Sequence, residues 1–492
     1  MSHAYPGLPP APPPAKPIVA TAVVLHREGP EGREVLLVRR GVERRFAGGF
    51  HAFPGGKLDR EDAAVPVAGA SGEEAALVAC AVRELFEETG VLLARGAAQV
   101  SAQDRDADRR ALLDGALPFG ELAQRRNLAL DAGLLVATSR WITPEHVPLR
   151  FDARLFVAAL PPGERAEVWP GELSSGAFVP VRRALARWEK GELLFFPPQL
   201  HAIRALAVEG PPSVEALRAP DERDRRIEFQ AGFLLCALRT PTLPPATHTN
   251  AWIVPVEGGV AVVDPGAPVE ADQAPLFALL DALAAEGRPL REVWITHAHA
   301  DHVGAAAAVA SRHGVPVRAH ALARGRVPGA QVVPFREGDL AGGRFLVLET
   351  PGHAREHLAF LDEPTGALLC GDLVSTLSTI VIDPPEGDMA EYERQLARVR
   401  SLAPRTLFPA HGPPAPDAPA HLAGYLAHRR EREALVVAAL AAGGTLEEIT
   451  ARAYAEVPAP MHPVAARSCL AVLQKLVLLG RAEARDGRFV PA

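Results

Sequence analysis

The segment THAHADH, residues 296–302, places His297, His299, Asp301 and His302 directly behind the apolar run REVWI and ahead of an Ala-rich stretch. Neutral imidazole and carboxylate are borderline ligands suited to zinc, and one catalytic ion takes only three protein donors when water keeps the fourth position. Four candidate donors therefore exceed one ion. The same local context recurs: FLVLETPG precedes His353, ALLCG precedes Asp372 and TLFPA precedes His411. In each case an apolar strand and a tight turn lead to a potential ligand, so four strand ends would bring donors to one sheet edge and build a two-metal site. His313, His320, His357 and His421 fall outside this pattern and read as structural or surface residues.

A second donor set lies upstream. RELFEETG, residues 83–90, puts Glu84, Glu87 and Glu88 at helical spacings of i, i+3 and i+4, on one face. Like charges so spaced repel. A divalent cation reverses the sign, and oxygen donors that leave room for water and substrate phosphates suit Mg²⁺ or Mn²⁺.

The elements that must position these residues separate into three segments. Residues 17–220 begin β-rich (PIVATAVVLHR, EVLLVRR), pass a Gly-rich turn and reach the helix EEAALVACAVRELFEETG. The polar stretch 219–228 marks the junction. Residues 221–424 alternate short apolar strands with Ala-rich helices, a layered αβ pattern. Residues 425–492 read as three helices and a hairpin, the order of a small winged-helix unit. Residues 1–16 form a Pro-rich tail.

His297-x-His299-x-Asp301-His302, then His353, Asp372 and His411, with Asp264 in VVDPG upstream, resembles the metallo-β-lactamase superfamily. The resemblance implies an αββα sandwich in which His297, His299 and His353 hold one zinc, Asp301, His302 and His411 a second, and Asp372 bridges them. Two such ions would lower the pKa of a shared water from 15.7 to about 7 or below and polarise the substrate oxygen, with Asp301 able to orient the nucleophile. Hydrolysis of an ester, thioester, lactam or phosphodiester is the implied reaction; iron or manganese remain open as metals. The segment FPAHGPPAPDAPAHLAGYLAHRRERE and the winged-helix-like end resemble the branch containing a mitochondrial endoribonuclease, which makes single-stranded RNA one possible substrate. Against RNA, residues 425–492 carry nine Lys/Arg and seven Asp/Glu, a weak basic face.

Arg83, Glu84, Leu85, Glu87, Glu88, Gly90 and Val91 resemble the second half of the Nudix box, and Gly55 through Glu61 in GGKLDRE its first half. The resemblance implies an α/β/α sandwich and attack of water on a diphosphate, with metal on Glu84, Glu87 and Glu88, one of these or a loop glutamate as base, and Arg83 orienting a glutamate. The family's short spacer becomes twenty-one residues here, 62–82, so Glu61, Glu73 and Glu74 all stay open for the first carboxylate. LLVRRGVERRFAGGFHAFPGG is similar to the coenzyme A diphosphatase signature, with Arg40, Arg45, Gly55 and Gly56 as substrate contacts. Guanidinium pairs bidentately with phosphate, as a coenzyme A derivative would require.

The whole chain of 492 residues therefore reads as an α/β multidomain protein, two metal-dependent hydrolases and a winged helix in series. A nucleoside diphosphate or coenzyme A derivative would be one substrate, and an acyl thioester or single-stranded RNA the other. A third arrangement makes the Nudix domain a ligand sensor for its neighbour. Net charge −7, 48% hydrophobic and 23% charged residues give no global pull toward nucleic acid or membrane. Four scattered cysteines with no C-x-x-C pair, no signal peptide and no span of roughly 18 apolar residues point to a cytoplasmic location.

Overall fold

The computed structural model describes residues 13–42, 48–208, 210 and 213–492, and divides them into two compact units, 13–231 and 232–492. Residues 1–12 of the expected tail lie outside the described residues. The stretch after 219–228 belongs with the first unit because Trp188 Nε1 and Phe195 N both donate to Phe229 O, and the Phe229 ring packs on Phe50 and Phe196.

In the first unit the sheet runs in the order His51–Ala52, Gly32–Arg40, Ile18–Gly29, Phe151–Ala159, Val136–Ile142, with Gly55–Lys57 and Leu173–Pro180 paired outside this path. Ile18–Gly29 and Phe151–Ala159 are parallel, Ile18 opposite Phe151 and His26 opposite Ala159. One face is covered by the helix Gly72–Thr89, whose Leu77, Val78, Val82, Leu85 and Phe86 meet Val23, Leu25 and Leu36. The helix stops at Gly90, left-handed at φ 72°, whose N–H donates to Phe86 O. Val181–Glu189 and Pro197–Leu206 cover the other face through Trp188, Leu200 and Ile203, completing an α/β/α sandwich.

The second unit is built on two sheets. One carries Phe233–Arg239, His248–Val256, Gly259–Val263, Leu290–Trp294, Val317–His320 and Val332–Phe335 in that order, antiparallel at first and parallel from Gly259–Val263 onward. The other orders Leu340–Ala341, Phe345–Glu349, Leu358–Asp362, Ala367–Gly371 and Thr406–Pro409, its last pair parallel. Between the sheets lies an aromatic layer: Phe233 and Trp252 on Phe408, and Trp294 on Phe345 and Phe360. Glu270–Ala285 and Ala306–His313 cover the first sheet with Leu276, Leu280, Leu283 and Val309. Met389–Ser401 and Ala418–Leu440 cover the second. This is the αββα sandwich. Leu446–Ala453, His462–Leu478 and the hairpin Ala482–Arg485/Arg488–Pro491 form the winged helix, and their core is continuous with that of the second sheet. Among the described residues no helix is long and apolar enough to cross a membrane.

Candidate functional site

Parallel pairing of Gly259–Val263 with Leu290–Trp294, Val263 opposite Trp294, brings the two following turns together. Their backbones touch: a Cβ on Gly266 would stand 1.8 Å from Asp301 O, and one on Gly304 would stand 2.4 Å from Gly266 O. Only glycine fits at either position. Asp264 leaves its strand at φ 51°, a left-handed conformation that Asp tolerates better than most residues. Its carboxylate accepts hydrogen bonds from Thr296 N at 2.8 Å, Thr296 Oγ1 at 2.7 Å and His302 Nδ1 at 2.9 Å.

Those contacts fix which imidazole nitrogens carry hydrogen. Thr296 Oγ1 gives its proton to Asp264, so it accepts from His297 Nδ1 at 3.0 Å. His353 Nδ1 donates to Val381 O at 2.9 Å and His411 Nδ1 to His248 O at 3.0 Å. His299 is reversed: Nε2 faces Glu386 Oε2 at 3.3 Å and Nδ1 points inward. The inward atoms His297 Nε2 and His353 Nε2 then approach His299 Nδ1 to 2.9 and 3.0 Å as bare lone pairs. Three converging lone pairs repel unless a cation lies among them.

His297, His299 and His353 form one group of ligand atoms within 4.8 Å of one another; Asp301, His302 and His411 form another; and Asp372 groups with His297 and His302 between them. Buried His302 Nε2 and Asp372 Oδ1 have no hydrogen-bond partner. Orphaned buried groups of this kind call for an ion. Imidazole nitrogen with carboxylate oxygen is a donor set for a borderline transition metal such as zinc. The residues therefore fit metal.

Burial lowers the pKa of His297 and that of His353, the latter to about 4, and neighbouring imidazoles add to the effect. Both stay neutral, as ligands must. Burial also opposes charge on Asp301, Asp372, His302 and His411, but opposite charges within the group outweigh it. Asp301 falls to about 2 and Asp372 well below the usual carboxylate range, while His302 and His411 rise. A cation entering this set displaces imidazolium protons.

In the first unit Glu84, Glu87 and Glu88 share the helix face toward Gly55–Lys57. Arg83 Nη1 donates to Glu84 at 2.9 Å and to Glu87 at 3.2 Å, and Gly55 N donates to Glu88 at 2.8 Å. Burial raises Glu84 to about 7 and Glu88 to about 8, with Arg83 and the Gly55 N–H respectively counteracting it, so a cation would relieve both. These oxygens fit a hard ion. Gly55 and Gly56 lie against the same carboxylates: a Cβ on Gly56 would stand 2.4 Å from the Glu84 carboxyl carbon, and one on Gly55 would stand 2.1 Å from Thr21 O. Arg40 pairs with Glu172 at 3.1 Å, and Arg45 lies outside the described residues.

Asp62, buried in the turn Arg60–Ala64, holds Arg83 through Nε at 2.8 Å and Nη2 at 2.9 Å, whereas Glu61, Glu73 and Glu74 are exposed. Sequence reasoning missed Asp62, and it did not foresee the parts played by Asp264, Glu386 and His357. The last of these, read as structural or surface, is structural: it accepts Asp372 N–H at Nε2 (3.0 Å) and is fixed by Thr350 Oγ1 at Nδ1 (2.7 Å). The signal for Asp264 was its position just after the apolar strand Gly259–Val263. Glu386 had no signal.

Comparison with known proteins agrees with this architecture. The Metallo-beta-lactamase superfamily matches residues 244–411, the NUDIX domain 16–160 and the Beta-lactamase associated winged helix domain 445–488. The lactamase-like protein vrtG of Penicillium aethiopicum is 30% identical over 43% of this chain and 69% of its own length. A hydroxyacylglutathione hydrolase of Acidiphilium cryptum is 32% identical over 34% of this chain and 65% of its own. The crystal structure of a NUDIX hydrolase from Alicyclobacillus acidocaldarius is 28% identical, covers 44% of this chain and 98% of that one, and superposes with a TM-score of 0.35. The chain belongs to the metallo-β-lactamase superfamily and is a hydrolase with a NUDIX domain and a β-lactamase-associated winged helix in the same polypeptide.

Proposed function

We propose that the chain is a bifunctional metallohydrolase. Its second unit cleaves an acyl thioester or ester at a two-zinc centre, and its first cleaves the diphosphate of coenzyme A or a related nucleotide with Mg²⁺ or Mn²⁺. The observation that carries the reading is the convergence of unprotonated nitrogens from His297, His299 and His353 beside a second group from Asp301, His302 and His411. His297, His299 and His353 would hold one ion, Asp301, His302 and His411 the other, and Asp372 would bridge. When bound, such ions supply an activated water and polarise a carbonyl oxygen. The chain's own residues orient the ligands: Thr296, Asp264, Val381 O and His248 O accept the outward protons, so that the inward nitrogen of each ring is the one that would face an ion. Asp301 would orient the nucleophile. The hydroxyacylglutathione hydrolase among the relatives makes a thioester the first substrate class to try.

In the first unit Arg83 is a positioning residue, gripped by Asp62 on one side while its Nη1 steers Glu84 and Glu87. Glu84, Glu87 and Glu88 would hold the ion, and one of them or a loop glutamate would take the proton of water.

Purified full chain incubated with acetyl-coenzyme A and Mg²⁺ tests both halves. Free thiol lost in His299→Ala, and adenosine 3',5'-bisphosphate lost in Glu87→Gln, are the expected results. Thiol release that survives His299→Ala overturns the first assignment, and bisphosphate release that survives Glu87→Gln overturns the second.

A further inference from the structure

The segment Ile380–Glu386 lies between the metal-ligand histidines and the C-terminal helices, and it is bonded to both. On the inner side Val381 O takes the Nδ1 proton of His353 at 2.9 Å, and Glu386 Oε2 faces His299 Nε2 at 3.3 Å. These contacts set the tautomers of two of the three converging imidazoles. On the outer side Ile382 N donates to Ser468 Oγ at 3.1 Å, Asp383 pairs with Arg467 at 3.2 Å, and Ile380 O accepts from Arg429 Nη2. Bonds to both sides thus fall within one short segment.

Ser468 and Arg467 belong to His462–Leu478, the longest helix of the winged unit, and Arg429 belongs to the connecting helix Ala418–Leu440. Ser468 and Arg429 are both buried, and Ile380, Ile382, Cys469, Val472 and Leu476 share one core. Tyr425, on the same connecting helix, fixes the preceding turn: its hydroxyl accepts from Ser375 N at 2.8 Å and contacts Ser378 O at 2.8 Å. The helix that a nucleic-acid-reading winged helix would expose is here packed, along the Ser468, Cys469 and Val472 side, onto the enzyme body.

We infer that the C-terminal winged helix, together with the connecting helix that leads to it, is a brace for the metal centre: through Ser468 and Arg467 of the one and Arg429 of the other it holds the strap Ile380–Glu386, and the strap orients His353 and His299. Ser468 and Arg429 are positioning residues that act through Val381 and Glu386. The inference rests on the reading of these histidines as metal ligands. Outer partners of metal-bound histidines change metal affinity by about 10- to 100-fold when removed. A residue one bond further out, acting through the strap, falls near the lower end.

The test uses the full chain and Zn²⁺ alone, with affinity measured by competition against a chromophoric chelator at fixed pH. Ser468→Ala and Arg429→Gln are expected to weaken Zn²⁺ binding about tenfold, with Ser468→Thr restoring it. Arg488→Ala, which removes a winged-helix ion pair to Glu448 remote from the strap, is expected to leave it unchanged. Hydrogen exchange in Ser468→Ala should accelerate over 380–387 and nowhere else, separating a loosened strap from a damaged fold. Unchanged Zn²⁺ affinity in both strap variants would overturn the inference, as would an equal loss in Arg488→Ala. Wild-type chain that takes up no Zn²⁺, or no more than His297→Ala, would overturn the metal reading itself and the brace with it.

Discussion

Asp264→Asn isolates what one buried carboxylate does for the metal centre. Asn keeps the shape and tolerates the left-handed backbone at φ 51°. Its Oδ1 can still accept from Thr296 N, and its Nδ2 can donate to Thr296 Oγ1 and to His302 Nδ1, which now accept. All three hydrogen bonds therefore survive, but the proton of His302 moves to Nε2, the inward atom that stands near Asp301 and Asp372. To bind a cation, the imidazole must return that proton to Nδ1 and face an amide N–H, leaving a buried donor unmatched. Such a mismatch costs about 1–3 kcal/mol. The 10- to 100-fold affinity loss typical for outer partners of metal-bound histidines corresponds to about 1.4–2.8 kcal/mol, so two independent routes agree. Competition against a chelator measures the loss directly, and the thermal transition of chelator-treated protein should stay within a few degrees of wild type. Wild-type Zn²⁺ affinity in Asp264→Asn would refute the tautomer argument.

Asp62→Ala removes the buried carboxylate that holds Arg83, which keeps Glu84 and Glu87 as partners, and the lost charge-assisted hydrogen bond costs about 1.5–3 kcal/mol. It is expected to speed hydrogen exchange around 55–64 and 80–88 and to abolish diphosphatase activity, while Glu61→Ala, at an exposed site, leaves both intact. The raised values of about 7 for Glu84 and about 8 for Glu88 mean that the folded unit holds protons which the unfolded chain, with ordinary carboxylates, has released. Stability of this unit without added cation should therefore fall as pH rises from about 4.5 to 8. Mg²⁺ affinity should rise over the upper part of that window, with proton release visible by calorimetry in two buffers. Saturating Zn²⁺ should stabilise the second unit by about 2.7 kcal/mol at a hundred times its Kd, an increment that chelator removes and His297→Ala never shows.

Much of this was legible in the sequence because both donor sets follow rules of spacing. Strand ends and tight turns announce His297, His299, Asp301, His302, His353, Asp372 and His411. The i, i+3, i+4 pattern announces Glu84, Glu87 and Glu88, and the terminal helices and hairpin appear where their periodicity places them. What stayed hidden depends on contacts between distant segments. Asp62 meets Arg83 only because the turn Arg60–Ala64 folds back under the helix, and the interruption of the box disguised it. His357 read as a structural or surface residue, and nothing in its neighbourhood says which: Gly371 admits no Cβ because the imidazole Nε2 stands 2.7 Å from where it would be. Glu386 sits in an irregular segment with no period, and its use is set by His299, far away in sequence. The winged-helix order carried no mark of which side would be buried; the side of His462–Leu478 that joins the catalytic core depends on contacts with distant segments.

The central claim is that the His/Asp cluster holds two ions bridged by Asp372. An anomalous difference map at the zinc edge, from crystals of the full chain grown with Zn²⁺, tests it most directly. Two peaks are expected, one among His297, His299 and His353 and one among Asp301, His302 and His411, with Asp372 between them. A map with no peak in this cluster, or with one peak and Asp372 turned away, would contradict it.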